Sequence, residues 1–317
     1  MKAKEVRLES GTLWRKTLDR TERALRIGAL FPISTESMFI NDCGVDFQVR
    51  IVSNLARKEE EKKDIAKNHG MLKNKPNPFL PYEDDMFVAD ISDTHVCLLN
   101  KFNVIDHHLL IVTREFEDQE ILLTLQDFEA VWTCMAEFDG LAFYNGGEVA
   151  GASQQQKHLQ MIPLPMVENG YRVPVEPLFA AARFEHELGV VPGLPFVHSF
   201  TRLAPDLVNQ TSKAAEVVFR LYRNMLQAVG LNRSDASEGA RQFGPYNLLF
   251  TREWMLIVPR SEEFFGTISI NALGYAGALL VQDEQQMQML QEHGGMGVLK
   301  HTAITNITGD GETHQNM

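Results

Sequence analysis

With 317 residues and 44% hydrophobic content, the chain can bury a sizeable core, in one large domain or two closely joined ones. Its net charge of −12 argues against broad binding to nucleic acid or to an anionic membrane, so any anionic ligand has to be drawn by local basic groups. The three cysteines, Cys43, Cys97 and Cys134, form no CxxC pair and suggest neither a zinc site nor a disulfide framework; with no apolar leader in MKAKEVRLESGTLW and no run long enough to span a bilayer, they read as reduced thiols of a cytoplasmic protein.

Leu13, Trp14, Leu18, Ala24 and Leu25 recur at helical spacing and predict a helix within 10–30. FQVRIVSNL, 47–55, alternates as a strand does, and the charge run ARKEEEKKD after it reads as a solvated helix or loop. Arg57 and Lys58 stand where this strand exits. KNKPNPFLPYEDD, 73–85, is a loop by its Pro and Asn content. Strands are predicted at 95–102 and 108–113, linked through Asn103-Val104-Ile105-Asp106. His107 and His108 form a pair, but neighbours on a strand face opposite ways and cannot share one ion, so both read as structural. The clearest helix is predicted over 120–139, where Ile121, Leu122, Leu125, Phe128, Val131, Trp132, Met135 and Phe138 form a broad apolar stripe. Gly140 ends it, and Leu141–Tyr144 is a short strand.

The most informative stretch is FYNGGEVAGASQQQKHLQMIPLP, 143–165. A Gly-Gly turn and a small-residue loop lead into a segment that alternates. The period of two places Gln156, His158, Gln160 and Ile162 on one face, and Lys157, Leu159 and Met161 on the other. Backbone N–H groups of a glycine-bearing loop can hold phosphate oxygens, neutral imidazole can attack phosphorus, and glutamines can bond the oxygens. From the residues alone, a single histidine on a strand face is more often a packed or rim residue than a nucleophile, and that reading comes first for His158.

Pro163 and Pro165 then stop ladder pairing, and 167–200 is rich in Pro and Gly, a plausible connecting segment. A helix is predicted from 211 to 229, a polar loop at LNRSDASEG, and a two-strand hairpin over 245–260 with Thr251-Arg252-Glu253 at the bend. A closing helix is predicted over 269–290, and the end of the chain reads as disordered.

GASQQQKHLQ resembles the active-site motif of the diadenosine tetraphosphate phosphorylases (ATP adenylyltransferases), within the wider group of galactose-1-phosphate uridylyltransferases and histidine-triad proteins. The run LNKFNVIDHHLLIVTREFEDQE resembles that family's nucleotide-binding hairpin, and WMLIVPR its C-terminal half; together the resemblance covers about 45–290. It implies an α+β fold with a histidine-triad-like antiparallel sheet and packed helices. It further implies an N-terminal helical extension (1–44), a catalytic half (45–175), a half completing the nucleotide site (176–305) and a tail (306–317). The family pattern is His-x-His-x-Gln. Its nucleophile falls on His158 and its glutamine on Gln160, whereas the first histidine is replaced by Gln156, which cannot be protonated.

The implied substrate contacts are Lys58, Asn100, Lys101, Asn145, Gly151, Ala152, Ser153, Gln154 and Gln156, with Asn247, Thr251, Met255 and Arg260 toward the second nucleotide or phosphate tail. For Arg260, a rim arginine paired with a carboxylate is the competing reading. The implied partners are diadenosine tetraphosphate, ATP, ADP and phosphate, with no nucleic acid and no membrane. A divalent cation, Mg2+, is expected to travel with the polyphosphate, and no organic cofactor is expected. The implied reaction is reversible phosphorolysis through an adenylyl-histidine. A hydrolase or another nucleotidylyltransferase of the same fold, and a non-catalytic nucleotide sensor, remain as alternatives.

Overall fold

The computed structural model describes residues 7–52, 77–168, 170–231 and 239–306. Lys58, the charge run around it and the C-terminal tail lie outside the described residues. Helices are α1 (Leu13–Arg26), α2 (Leu125–Glu137), α3 (Thr211–Ala228), α4 (Ala272–Tyr275), α5 (Glu284–His293) and α6 (Gly295–Thr302). Strands are β1 (Thr35–Asp42), β2 (Val45–Val52), β3 (Phe87–Asp90), β4 (His95–Leu99), β5 (Leu109–Thr113), β6 (Gly140–Gly146), β7 (His158–Pro163), β8 (Arg183–Glu185), β9 (Leu188–Val190), β10 (Ser199–Arg202), β11 (Tyr246–Phe250), β12 (Trp254–Pro259), β13 (Phe264–Phe265), β14 (Ile268–Ser269) and β15 (Ala278–Val281).

Ten of these strands form one antiparallel sheet in the order β3-β4-β5-β7-β6-β11-β12-β10-β9-β8. The α+β architecture with packed helices is therefore observed. The pairing of β6 with β11 joins the two halves of the chain in mid-sheet. On one face lies a core of Leu159 and Met161 with Phe128, Val131, Trp132 and Met135 of α2, Val218, Leu221 and Met225 of α3, and Leu13 and Ala24 of α1. On the other face Leu141, Phe143 and Ile162 meet Phe47 and Val49 of β2 and residues of α4, α5 and α6. The alternation of β7 fixes its register, because a slip of one residue would exchange Leu159 and Met161 for His158 and Gln160 in the helix-side core.

Polar groups also anchor that face. Thr124 caps α2 in a capping box with Asp127, whose carboxylate also meets His95 Nε2 at 3.0 Å and Lys157 Nζ at 3.3 Å. Burial pushes the Asp127 pKa up, but the His95 hydrogen bond and the Lys157 charge outweigh it and hold the carboxyl well below its usual range. Lys157 reaches Glu117 as well, at 2.6 Å. Its side of β7 thus faces the helices.

Several sequence expectations are corrected. The helix predicted over 120–139 starts at Leu125, because the capping box sets its first turn at Thr124. The helix predicted over 269–290 is instead α4, the strand β15 and α5. Gly277 stands at φ +92°, where a Cβ would meet Pro174 at 2.7 Å, and the chain then pairs in parallel with β2. That pairing outweighs the helical spacing of Leu273, Ala276, Leu279 and Leu280. The N-terminal extension is not only helical, since β1 belongs to a hairpin with β2. The strand predicted to reach residue 102 ends at Leu99, where the Asn100 N–H closes a loop on the His108 carbonyl at 2.8 Å. Among the described residues, no helix is long and apolar enough to cross a membrane.

Candidate active site

Where the three-stranded sheet β1-β2-β15 stands across from β4, β5 and β7, a cavity of about 620 Å³ opens. Its lining includes the apolar Phe79, Tyr82, Met86, Leu98 and Leu110, and also Thr267, Ser269, Asn271, Leu280, Gln282 and Gln286. His158 and Gln160 lie in the wall of the same cavity. They stand opposite Val112 and Leu110 of β5 in the sheet register.

His158 is only 5% exposed. Its Nδ1 lies 2.8 Å from the Gln156 carbonyl. A carbonyl only accepts, so Nδ1 carries the proton and Nε2 keeps a lone pair. Burial lowers the pKa of the ring, with the Gln156 hydrogen bond opposing, so the neutral imidazole is favoured near neutrality. Gln119 holds the backbone: its Oε1 accepts the His158 N–H at 2.9 Å and its Nε2 donates to the Asn145 carbonyl at 2.8 Å. The Phe79 ring packs on the imidazole with centroids 5.4 Å apart.

Gln160 is oriented by a relay. His108 Nε2–H donates to Gln160 Oε1 at 2.9 Å, and Asn100 Nδ2–H donates to His108 Nδ1 at 3.2 Å. Since Gln160 Oε1 is an acceptor, this sets the His108 tautomer and leaves the amide N–H groups of Gln160 as donors. Burial pushes the His108 pKa down to about 4, against the Gln160 hydrogen bond, so the relay stays neutral. The sequence reading of His108 as merely structural missed this. His107, at φ +57°, is outside the strand and contacts Thr21 at 3.3 Å.

The loop before β7 behaves differently from its expected role. The N–H of Gly151 goes to the Glu148 carbonyl at 2.8 Å and that of Ala152 to the Gly147 carbonyl at 3.1 Å. These two amides are therefore committed to the turn and are not phosphate donors. Gly151 stands at φ +87°, and a Cβ there would meet Asn271 Cα and the Ile270 carbonyl at 3.0 Å, so glycine is needed for close approach. Ser153 and Gln154 line the cavity, and among the described residues no carbonyl takes their N–H groups.

Asn100, Lys101 and Asn145 also line the cavity. Lys101 Nζ is held by Glu83 at 2.6 and 2.8 Å. Asn145 Oδ1 accepts from Asn247 Nδ2 at 2.9 Å and from the Ala272 N–H at 3.0 Å, pinning α4 against β6.

Besides Ala152, five expected contacts are not at the cavity wall: Gln156, Asn247, Thr251, Met255 and Arg260. Gln156 turns away: its Nε2 donates to the Thr113 carbonyl at 2.6 Å and its Oε1 accepts from Asn77 Nδ2 at 2.6 Å. Thr251 is buried at the β11–β12 bend and takes the Glu253 N–H at 3.1 Å. Met255 belongs to the helix-side core.

Arg260, 1% exposed, is enclosed, so neither the phosphate contact nor the rim ion pair describes it. Its guanidinium donates to Thr302, Ile270 and Glu262 carbonyls at 2.9, 2.8 and 2.7 Å, and to Asn247 Oδ1 at 2.6 Å. Asn247, itself fully buried, thus passes the support of Arg260 on to Asn145. The polar positions on β14 and α4, among them Ser269 and Asn271, were missed. Their only sequence signal lay hidden within the wrongly predicted helix.

Residues 3–181 match the family model of the Ap4A phosphorylase N-terminal domain, and residues 192–305 that of the ATP adenylyltransferase C-terminal domain. The chain is 28% identical over 238 residues to diadenosine 5',5'''-P1,P4-tetraphosphate phosphorylase 2 of Saccharomyces cerevisiae, covering 68% of this chain and 72% of that protein. It is 30% identical over 219 residues to protein APA1 of the same yeast, covering 62% and 64%. The crystal structure of yeast Ap4A phosphorylase Apa2 superposes with a TM-score of 0.73 at 25% identity, covering 95% of this chain and 100% of that one. The complex of that protein with AMP gives a TM-score of 0.71 at 26% identity, covering 96% and 100%.

Proposed function

The chain belongs to the Ap4A phosphorylase family, and from that premise we propose how its cavity cleaves diadenosine 5',5'''-P1,P4-tetraphosphate with orthophosphate to ADP and ATP. The single observation that carries the mechanism is the tie from His158 Nδ1 to the Gln156 carbonyl, which leaves Nε2 unprotonated at the cavity.

Nε2 attacks the α-phosphorus at one end of the dinucleotide. The new N–P bond forms as the bond from phosphorus to the bridging oxygen breaks, and ATP leaves with the electron pair. The ring gains positive charge, which the Gln156 carbonyl stabilises through Nδ1–H. Gln160 N–H groups, with Ser153 and Gln154, stabilise the equatorial oxygens. Orthophosphate then attacks the same phosphorus, the N–P bond breaks, ADP leaves and His158 returns neutral. The reaction is reversible. A covalent intermediate divides one difficult transfer into two easier ones. Mg2+ enters as part of the substrate, on the polyphosphate.

Gln156 in place of histidine is compatible with this chemistry. The leaving group is a phosphate oxygen, whose conjugate acid has a pKa of about 6, so no general acid has to protonate it. The reducing cytoplasm is a compartment that suits Cys43, Cys97 and Cys134, all free.

The test is to incubate the protein with the dinucleotide and phosphate and separate the products. ADP plus ATP is the expected result. AMP plus ATP would make it a hydrolase, and binding without turnover a sensor. With α-labelled substrate, label should remain on the denatured protein and be lost in His158→Ala.

A further inference from the structure

Arg50 is the charged group in the cavity that the mechanism above does not use. It sits on β2, opposite Leu280 of β15 and Ser37 of β1. Its neighbours Val49 and Ile51 pack into or against the core, so Arg50 faces the other way, into the cavity wall. Among the described residues, the fixed charges lining the cavity are Arg50, Lys101 and Glu83. Lys101 and Glu83 neutralise each other in a two-oxygen contact. That leaves Arg50, which forms no ion pair among the described residues.

Arg50 is also unsatisfied. Its Nε is buried and has no hydrogen-bond partner among the described residues. An N–H in that state costs about 1–3 kcal/mol relative to one that is bonded. Burial lowers the Arg50 pKa, and the Asp106 carboxylate opposes this. A guanidinium matches the oxyanions of phosphate with its planar fork, and the cavity must take a polyanion.

We propose that Arg50 is a phosphate-binding group of the cavity that His158 also lines, satisfied when a phosphate oxyanion is bound. This rests on the phosphorylase reading for the identity of the anion. The oxyanion comes either from the distal phosphates of the dinucleotide or from the orthophosphate acceptor.

The test uses the full chain as wild type, Arg50→Gln and Arg50→Lys. Calorimetric titrations with inorganic tripolyphosphate, orthophosphate and AMP are combined with kcat/KM for the dinucleotide and for orthophosphate. Arg50→Gln should weaken binding of tripolyphosphate, orthophosphate or both by about 10- to 100-fold, with AMP affinity unchanged. Arg50→Lys should lose less, since it keeps the charge without the fork.

A fall in kcat/KM for the dinucleotide alone assigns Arg50 to the phosphate tail, a fall for orthophosphate alone to the acceptor, and a fall in both to a shared position. The proposal is overturned if Arg50→Gln leaves both inorganic affinities and both kcat/KM values within about twofold of wild type, or if wild type binds neither inorganic phosphate. Should Arg50→Gln lose AMP as well, its fold is damaged. The same comparison then rests on Arg50→Lys, where unchanged values overturn it. A wild type that releases AMP overturns the phosphorylase reading instead, and the inorganic titrations still decide Arg50.

Discussion

The His158 Nδ1 atom lies 2.8 Å from the backbone carbonyl of Gln156, so one peptide group two residues away selects the tautomer of the ring. The residue that departs from the family motif therefore still supplies this support, because a carbonyl is common to every side chain.

Burial places the His158 pKa below its ordinary 6.5. The nucleophilic form then persists as pH falls to 6.5 and is lost only beneath it. We expect kcat/KM for the dinucleotide to keep its plateau down to that point, with the acid limb lower. An acid limb centred above pH 7 would contradict this. Stability has the same sign. His158 and His108 bind protons more readily unfolded than folded, so their contribution is intact above 6.5 and erodes as pH falls toward the His108 value of about 4.

His108→Ala should lower kcat by about 10- to 100-fold, somewhat less than losing a transition-state donor outright, because Gln160 loses the bond that aims its amide. KM for the dinucleotide should change little. His108→Asn, which can still donate to Gln160 Oε1, should recover part of the loss. Equal kcat values for the two variants, with matching melting temperatures, would refute the relay.

Gln156 pins Asn77, whose Oδ1 also accepts the Phe79 N–H at 2.9 Å. Asn77→Ala and Gln156→Leu should loosen Phe79 and raise KM for the dinucleotide, by about 3- to 10-fold for one lost net hydrogen bond, while kcat is largely kept. Gln156→His should keep turnover, since the backbone carbonyl remains. Steady-state kinetics on the three variants, alongside thermal melts, checks this. A kcat collapse in Asn77→Ala would assign the contact to the chemistry instead.

Arg260→Met should act on stability. It leaves three carbonyls and Asn247 Oδ1 without their donor, a change worth about 3–5 kcal/mol for a broken buried charged network. The melting temperature should drop, and in whatever folds at low temperature KM for orthophosphate should stay near wild type. A selective rise in that KM with an unchanged melt would restore Arg260 as a phosphate ligand.

The amino-acid order alone determined the strand that carries His158 and Gln160. Period-two alternation with Leu159 and Met161 leaves one arrangement that buries the leucine and the methionine. It also determined α1, α2 and α3, whose apolar stripes are long enough to outweigh local alternatives. Tertiary structure decided what long-range contact decides. Residues 278–281 became a strand because β2 offers a parallel edge. His108 joined the site because Gln160 lies beside it across the sheet. Arg260 was drawn into the interior because the Ile270 and Thr302 carbonyls converge on it beside that of neighbouring Glu262. Those partners are 10, 42 and 52 positions away, and no local pattern encodes a hydrogen bond whose other half is that far along the chain.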